Sequence, residues 1–216
     1  MYPQQVPTVI VPAQGEPIHT KRLLLRPLQT ADASGIFAIR SLQEVANTLW
    51  PKSPDPDVAT TERWMSEKTF RTPDASGELG RTFYFVMIRA DDPSERIVGT
   101  VGINSLDPSP SVGYTVHPEF WGQGYATEAL GGVMNAWWKL PRRSANKELE
   151  KMSRDSEEDE PVEKLYAACN KANVGSVKVL LKNGFKIYTE VPMEGDIVAF
   201  MEVERPSPFV SNDETA

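Results

Sequence analysis

The 216 residues include one cysteine, Cys169, and two histidines, His19 and His117. A single thiol excludes an internal disulfide framework and any cysteine-rich zinc site, and histidines so far apart suggest no metal by spacing. Long apolar runs are also missing. None approaches the roughly 20 residues that span a bilayer, and the first residues lack the basic-then-apolar order of a secretory signal. Positive charge is scarce: Lys and Arg number 23 against 30 Asp and Glu, for a net charge of -7. No continuous cationic face is left to neutralise a phosphate backbone. These absences predict no metal, no nucleic acid and no membrane partner, with a cytoplasmic location as a monomer or homodimer. The acidic balance is compatible with a cationic substrate such as an amine. With 40% hydrophobic residues, the chain can bury one sizeable core.

What is present begins with a segment, residues 1–17, rich in Pro and Gln and without a period, which predicts a flexible arm. Strands are predicted at 20–28, 82–89, 96–104, 111–116, 164–169, 185–191 and 196–203, where apolar residues alternate. Helices are predicted at about 31–42, 44–50, 58–70, 122–140 and 174–182 from apolar residues at helical spacing. Three strands joined by short turns imply antiparallel pairing. The charged stretch 142–162 has too few apolar residues for a core element and predicts a mobile insert. The tail 206–216 predicts disorder. Gly131 and Gly132 lie inside the long helix, where each lowers stability by up to ~1 kcal/mol relative to Ala; close approach to a sheet would explain them.

One stretch carries a chemical signal. Val112-Gly113-Tyr114-Thr115-Val116 alternates as a strand and ends at His117-Pro118, since proline lacks a donor and disfavours helix before it. Gly122 and Gly124 then turn the chain into a helix. A glycine turn that opens a helix leaves N–H groups free at the positive end of the dipole, which suits a phosphate. A triphosphate loop would end in Gly-Lys-Ser/Thr, yet Gly124-Tyr125-Ala126 stands here. A dinucleotide loop would open the first strand–helix turn of a parallel sheet, whereas this one follows antiparallel strands past mid-chain.

The order of elements, with Thr20 to Leu28, Gly99-Thr100-Val101-Gly102, Gly113 to Pro118 running into Trp121 to Ala129, and Asn170 to Asn173 with Ser176 and Asn183-Gly184-Phe185, resembles the GNAT superfamily of acetyl-CoA-dependent N-acetyltransferases. Together these segments look like the RimJ/RimL-type subgroup. The resemblance covers residues 18–205. It implies an α+β GNAT fold, a single mixed, mostly antiparallel sheet of about six to seven strands flanked by helices, and transfer of acetyl from acetyl-CoA to a primary amine, either a protein N-terminus or a small molecule. A non-catalytic acyl-CoA-binding module of the same fold is the alternative.

The resemblance implies the following roles. The cofactor loop starts at Trp121, which stands at the family's Gln/Arg position; the backbone N–H groups of Gly122, Gln123, Gly124, Tyr125, Ala126 and Thr127 hold pyrophosphate, with the Thr127 hydroxyl as an added donor, and Thr115 and Val116 pair with the pantetheine arm. The Val116 N–H polarises the thioester carbonyl. Asn173 holds pantetheine and Ser176 supplies the proton to the thiolate, since Leu180 stands where many members carry a tyrosine. Asn173 and Ser176 could equally only cap the following helix. Glu119 is the candidate base beside its reading as an exposed turn carboxylate, and the Glu128 carboxylate is explained by the helix dipole alone. Trp50, Trp64, Phe70, Phe83 and Tyr84 are candidates for the acceptor pocket, beside the commoner reading of each as core.

Overall fold

Alternating strand patterns and helical stripes assemble into one sheet with helices on both faces. A computed structural model describes residues 1–143 and 162–206. The strands are β1 (Ile18–His19), β2 (Leu23–Pro27), β3 (Phe83–Arg89), β4 (Ile97–Ser105), β5 (Ser111–Val116), β6 (Lys164–Asn170), β7 (Lys186–Met193) and β8 (Asp196–Glu204). The helices are α1 (Ala33–Arg40), α2 (Gln43–Ala46), α3 (Val58–Ser66), α4 (Tyr125–Lys139) and α5 (Val174–Lys182). The sheet order is β1-β2-β3-β4-β5-β6-β8-β7. Every neighbouring pair is antiparallel except β5 and β6. The eighth strand is β1, whose two residues are too short to show a period of two.

The period-two reading held where it was strongest. Leu23 and Leu25 of β2 and Phe83, Phe85 and Met87 of β3 are buried, facing α4 through Ala129, Leu130, Val133 and Trp137, all fully buried. The opposite face carries Val86 and Ile88, covered by Ala33 and Ile36 of α1 and Met65 near the end of α3. Asp57 starts α3 by accepting from the Thr60 N–H at 2.7 Å, a side-chain cap. Gly132 lies where an added Cβ would stand 3.0 Å from Thr20 and 3.4 Å from Leu25, so close packing of α4 on β1 and β2 is what requires the glycine.

The first 17 residues depart from the expected flexible arm. Val9 and Val11 are 1% and 2% exposed in the main core. The Val11 N–H donates to Asp74 at 2.8 Å, and the Ile10 N–H to the Pro141 carbonyl at 2.9 Å. Tyr2 packs against Tyr166 and Phe200 at ring separations of 5.7 and 5.6 Å. Each valine contributes about 1.5–3 kcal/mol by burial, and the partners that satisfy this backbone come from distant parts of the sequence. The expected insert at 142–162 falls mostly outside the described residues, and the expected tail from 206 does so beyond Pro206. No described helix is long and apolar enough to cross a membrane.

Candidate functional site

β5 and β6 share one register pair, Ser111 with Tyr166, next to a bond from the Tyr166 N–H to the Pro110 carbonyl. Beyond it the strands part. The gap opens into a cleft of ≈ 400 Å³ lined by Gly113, Tyr114 and Thr115 on one side and Ala167 to Asn170 on the other. Which β5 groups face this gap follows from the ladder with β4. Val116 lies opposite Gly99, and the His117 N–H donates to the Val98 carbonyl at 2.9 Å. Antiparallel ladders alternate bonded and unbonded pairs, so Gly113 and Thr115 direct their backbone groups to β4. Tyr114 and Val116 direct theirs into the gap. This corrects the expectation for Thr115, whose backbone is already paired, and brings in Tyr114 instead.

The glycine turn follows at once. Gly122 and Gly124 have φ of +74° and +84°, a region that ordinary side chains enter only with strain. The Glu128 N–H is the first in α4 to reach back, to the Gly124 carbonyl at 3.1 Å. The N–H groups of Tyr125, Ala126 and Thr127 are therefore among the unsatisfied donors of the helix start. At the positive end of a 15-residue helix, they form an anion site. Trp121 supplies no backbone donor there, because its N–H donates to the Pro118 carbonyl at 3.0 Å. Its indole Nε1 donates to the Val116 carbonyl at 2.6 Å, fastening the turn to the end of β5. The Gln123 side chain likewise donates to the Glu119 carbonyl at 2.9 Å.

Arg22, which sequence reasoning passed over, braces the turn from outside. Its Nε donates to Glu128 at 2.7 Å, its Nη1 donates to the Gln123 carbonyl at 3.0 Å, and its guanidinium lies 4.5 Å from the centre of the Tyr125 ring. Glu128 also accepts from the Thr20 hydroxyl at 2.6 Å and the Arg22 N–H at 2.7 Å. Burial by itself would raise the Glu128 pKa, but these bonds outweigh it and hold the carboxyl below its usual range. Glu128 is thus an ionised strut rather than a dipole ornament, and 106 residues separate it from Arg22. Arg22→Ala is expected to weaken the hold on an anion at this turn about tenfold, near 1.4 kcal/mol, with any turnover little changed. Titration calorimetry with steady-state rates checks this, and unchanged affinity would rule out the brace.

On the far side of the gap, Asn173 caps α5 by accepting from the Ser176 N–H at 3.0 Å. The capping alternative is therefore realised for its carbonyl oxygen, while its amide nitrogen makes no hydrogen bond among the described residues. Ser176 lines the cleft, and its carbonyl accepts from the Tyr114 hydroxyl at 3.1 Å. Burial pushes the Tyr114 hydroxyl above its ordinary value, so it stays protonated. Leu180 is 1% exposed. Cys169 also borders the cleft, with its thiol pushed up to about 11 by burial.

Glu119 is not brought to this cleft. It sits on the turn after β5 with 60% of its side chain exposed, paired to Arg96 at 2.8 Å. Its turn-carboxylate reading prevails over that of a base. His117 accepts from the Glu119 N–H at 3.3 Å and lies outside the lining as well.

The other half of the cleft lies against α1, α2 and α3. Trp50, Trp64 and Tyr84 line it, as expected, whereas Phe70 and Phe83 turn into the opposite core, Phe83 packing 5.3 Å from Trp137. Gly113, in the lining, faces Gly102 across the β4–β5 pair and forms the floor. A Cβ at Gly102 would lie 2.5 Å from the Tyr84 ring, and one at Gly113 would collide with the Asn104 amide, so both side chains rest directly on the sheet.

The family described as "Acetyltransferase (GNAT) domain" matches residues 22–186. No curated protein matches the sequence. Solved structures of similar fold include a GNAT-family acetyltransferase from Bacillus anthracis, with a TM-score of 0.61 and 16% identity, covering 88% of this chain and 99% of that one. An acetyltransferase from Agrobacterium tumefaciens has a TM-score of 0.58 and 17% identity over 87% and 94% of the two chains. RimL, a ribosomal-protein α-N-acetyltransferase solved in complex with coenzyme A, has a TM-score of 0.59 and 15% identity over 88% and 98%. At these identities the likeness is one of fold.

Proposed function

The chain belongs to the GNAT acetyltransferase family, and from that premise we propose that it transfers acetyl from acetyl-CoA to a primary amine that enters the cleft from the side of α1 to α3. The observation that carries this reading is the parting of β5 from β6 directly before a glycine turn at a helix start. Residues 18–205 form the proposed catalytic domain, and likeness to RimL supports the RimJ/RimL-type subgroup.

Acetyl-CoA, when bound, supplies an activated thioester carbonyl. The N–H groups between Gly122 and Thr127 would hold its pyrophosphate, because a diphosphate matches both their direction and the dipole. The gap-facing backbone groups of Tyr114 and Val116 would hold the pantetheine arm as a neighbouring strand does. The Val116 carbonyl is already bonded to Trp121, so its N–H is the group left to polarise the carbonyl. The Asn173 amide nitrogen would steady the same arm.

Proton traffic is assigned to residues of the cleft. Asp196 is the lining carboxylate among the described residues, and its bonds from Lys52 and Asn170 hold it below its usual range, which makes it a weak base. We assign proton removal from the amine to water in the open cleft. Ser176 is assigned the hydrogen bond to the departing thiolate, and Tyr114 steadies its segment. Ser176→Ala is expected to lower kcat about tenfold, one hydrogen bond of roughly 1.4 kcal/mol, with acetyl-CoA affinity held within a factor of two. A larger loss from Tyr114→Phe than from Ser176→Ala would exchange the two roles. The proposal as a whole is tested by incubation with acetyl-CoA and a panel of amines and peptides. Thiol release with acetylated product supports it, and tight binding without turnover on any acceptor would instead make the protein an acyl-CoA-binding module.

A further inference from the structure

The chain is acidic, with a net charge of -7, yet the acceptor half of its cleft is cationic. Arg40, Lys52 and Lys68 line it against one carboxylate, Asp196. Two of these cations are matched already. Arg40 is held by Asp55 at 2.7 and 3.0 Å, and Lys52 by Asp196 at 2.5 Å. Lys68 differs. Its ammonium donates to the Asn104 side-chain oxygen at 3.1 Å and lies 4.6 Å from the Trp64 ring centre and 5.3 Å from that of Tyr84. No carboxylate among the described residues lies within ion-pair distance of it.

Placing a cation there is unfavourable unless something answers it. Burial, then the neighbouring Arg40, drive the Lys68 pKa down to about 8, with Glu67 opposing. Two aromatic faces and one amide oxygen are partial answers only. They fix the direction of the ammonium, and the glycine floor under Asn104 lets that amide reach it. A pre-aimed cation set against two aromatic faces, with no carboxylate partner among the described residues, suits the recognition of an anion.

Resting on the acetyl-transfer reading above, we propose that the acceptor is an amine that also carries a carboxylate, recognised by Lys68. The carboxylate could be that of a small amino acid or of an acidic residue near a peptide N-terminus. Polyamines and other purely cationic amines are disfavoured by the Lys68 charge.

The test uses acceptor pairs that differ only in carboxylate against carboxamide. One arm compares small amino acids with their amides, and the other compares peptides with Glu or Gln at the second residue. Binding to the full-length protein with coenzyme A is measured by calorimetry, and kcat/KM in parallel. The expected result is a carboxylate preference of at least about tenfold in one arm, that is, at least one decade in Kd. That arm identifies the source. Lys68→Gln should reduce the preference to within about twofold and Lys68→Arg should retain most of it, with acetyl-CoA binding reporting that each variant is folded. Equal treatment of both members of each pair, no measurable acceptor binding, or a preference that survives Lys68→Gln would overturn the inference. A binding preference without acetyl transfer would leave it standing while removing the enzyme reading, and transfer without preference would do the reverse.

Discussion

Gly124→Glu is expected to reduce acetyl-CoA affinity by at least about 100-fold. A carboxylate some 4 Å from a phosphate repels it by about 4 kcal/mol at an effective dielectric constant of 20. Position 124 also lies beside Arg22, whose Nη2 is 3.5 Å from where a Cβ would stand. The new carboxylate would therefore draw Arg22 away from Glu128 and loosen the brace on the turn. Backbone strain is a separate effect, since φ is +84° here and a non-glycine residue pays about 1–2 kcal/mol in that region. Gly124→Ala carries the strain without the charge, and its expected loss is near tenfold or less. Calorimetry on the two variants separates the effects. Affinities within a few-fold of each other would mean that no phosphate sits at this turn.

Lys68→Met is expected to stabilise the fold by about 2 kcal/mol at pH 7. The folded lysine gives up its proton near pH 8, against an ordinary value of 10.5. At 1.36 kcal/mol per pKa unit that is about 3 kcal/mol of penalty, less about 1 kcal/mol for the lost bond to Asn104. For a chain of this size the melting temperature should rise by roughly 4–8 °C. The sign of the pH dependence is opposite to that of a lysine gaining a partner. Between pH 8 and 10.5 the unfolded state holds more protons, so wild-type stability rises with pH across that window. Below pH 8 the full penalty applies. The groups facing the ammonium are Arg40 from α1, its neighbour Glu67, and Tyr84 from β3, whose hydroxyl is pushed up to about 12 by burial and so stays neutral over most of the window. Denaturant unfolding at pH 7 to 10 measures both effects. A variant no more stable than wild type, or a wild-type stability flat with pH, would refute this account of Lys68. Stabilisation with loss of acceptor preference would be a trade of stability for recognition.

Short-range patterns decided much of this protein from sequence alone. Among the described residues, seven of the eight strands and all five helices were legible, because alternation and helical stripes are local properties that burial on one face imposes. The glycine turn was legible for the same reason, since its need for positive φ and its place between strand and helix are written in consecutive residues. β1 was too short to show a period, and Val9 and Val11 sat in a segment whose composition suggested no order.

Within the site, what could not be read were the relations between residues far apart in the chain. Thr115 and Tyr114 are adjacent, yet which of them turns its backbone to the gap is set by pairing with β4. Glu119 is near the turn in sequence but the chain carries it to the surface, and Trp121 spends its indole on Val116. Arg22 reaches Glu128 across the fold, and Lys68 meets Asn104, Trp64 and Tyr84 from three elements. Residue type and spacing therefore determined the individual elements and the glycine turn. The charge of the cleft beside α1 and α3 was decided only by tertiary structure, because an ion's surroundings depend on which distant groups close around it, and net composition pointed the other way.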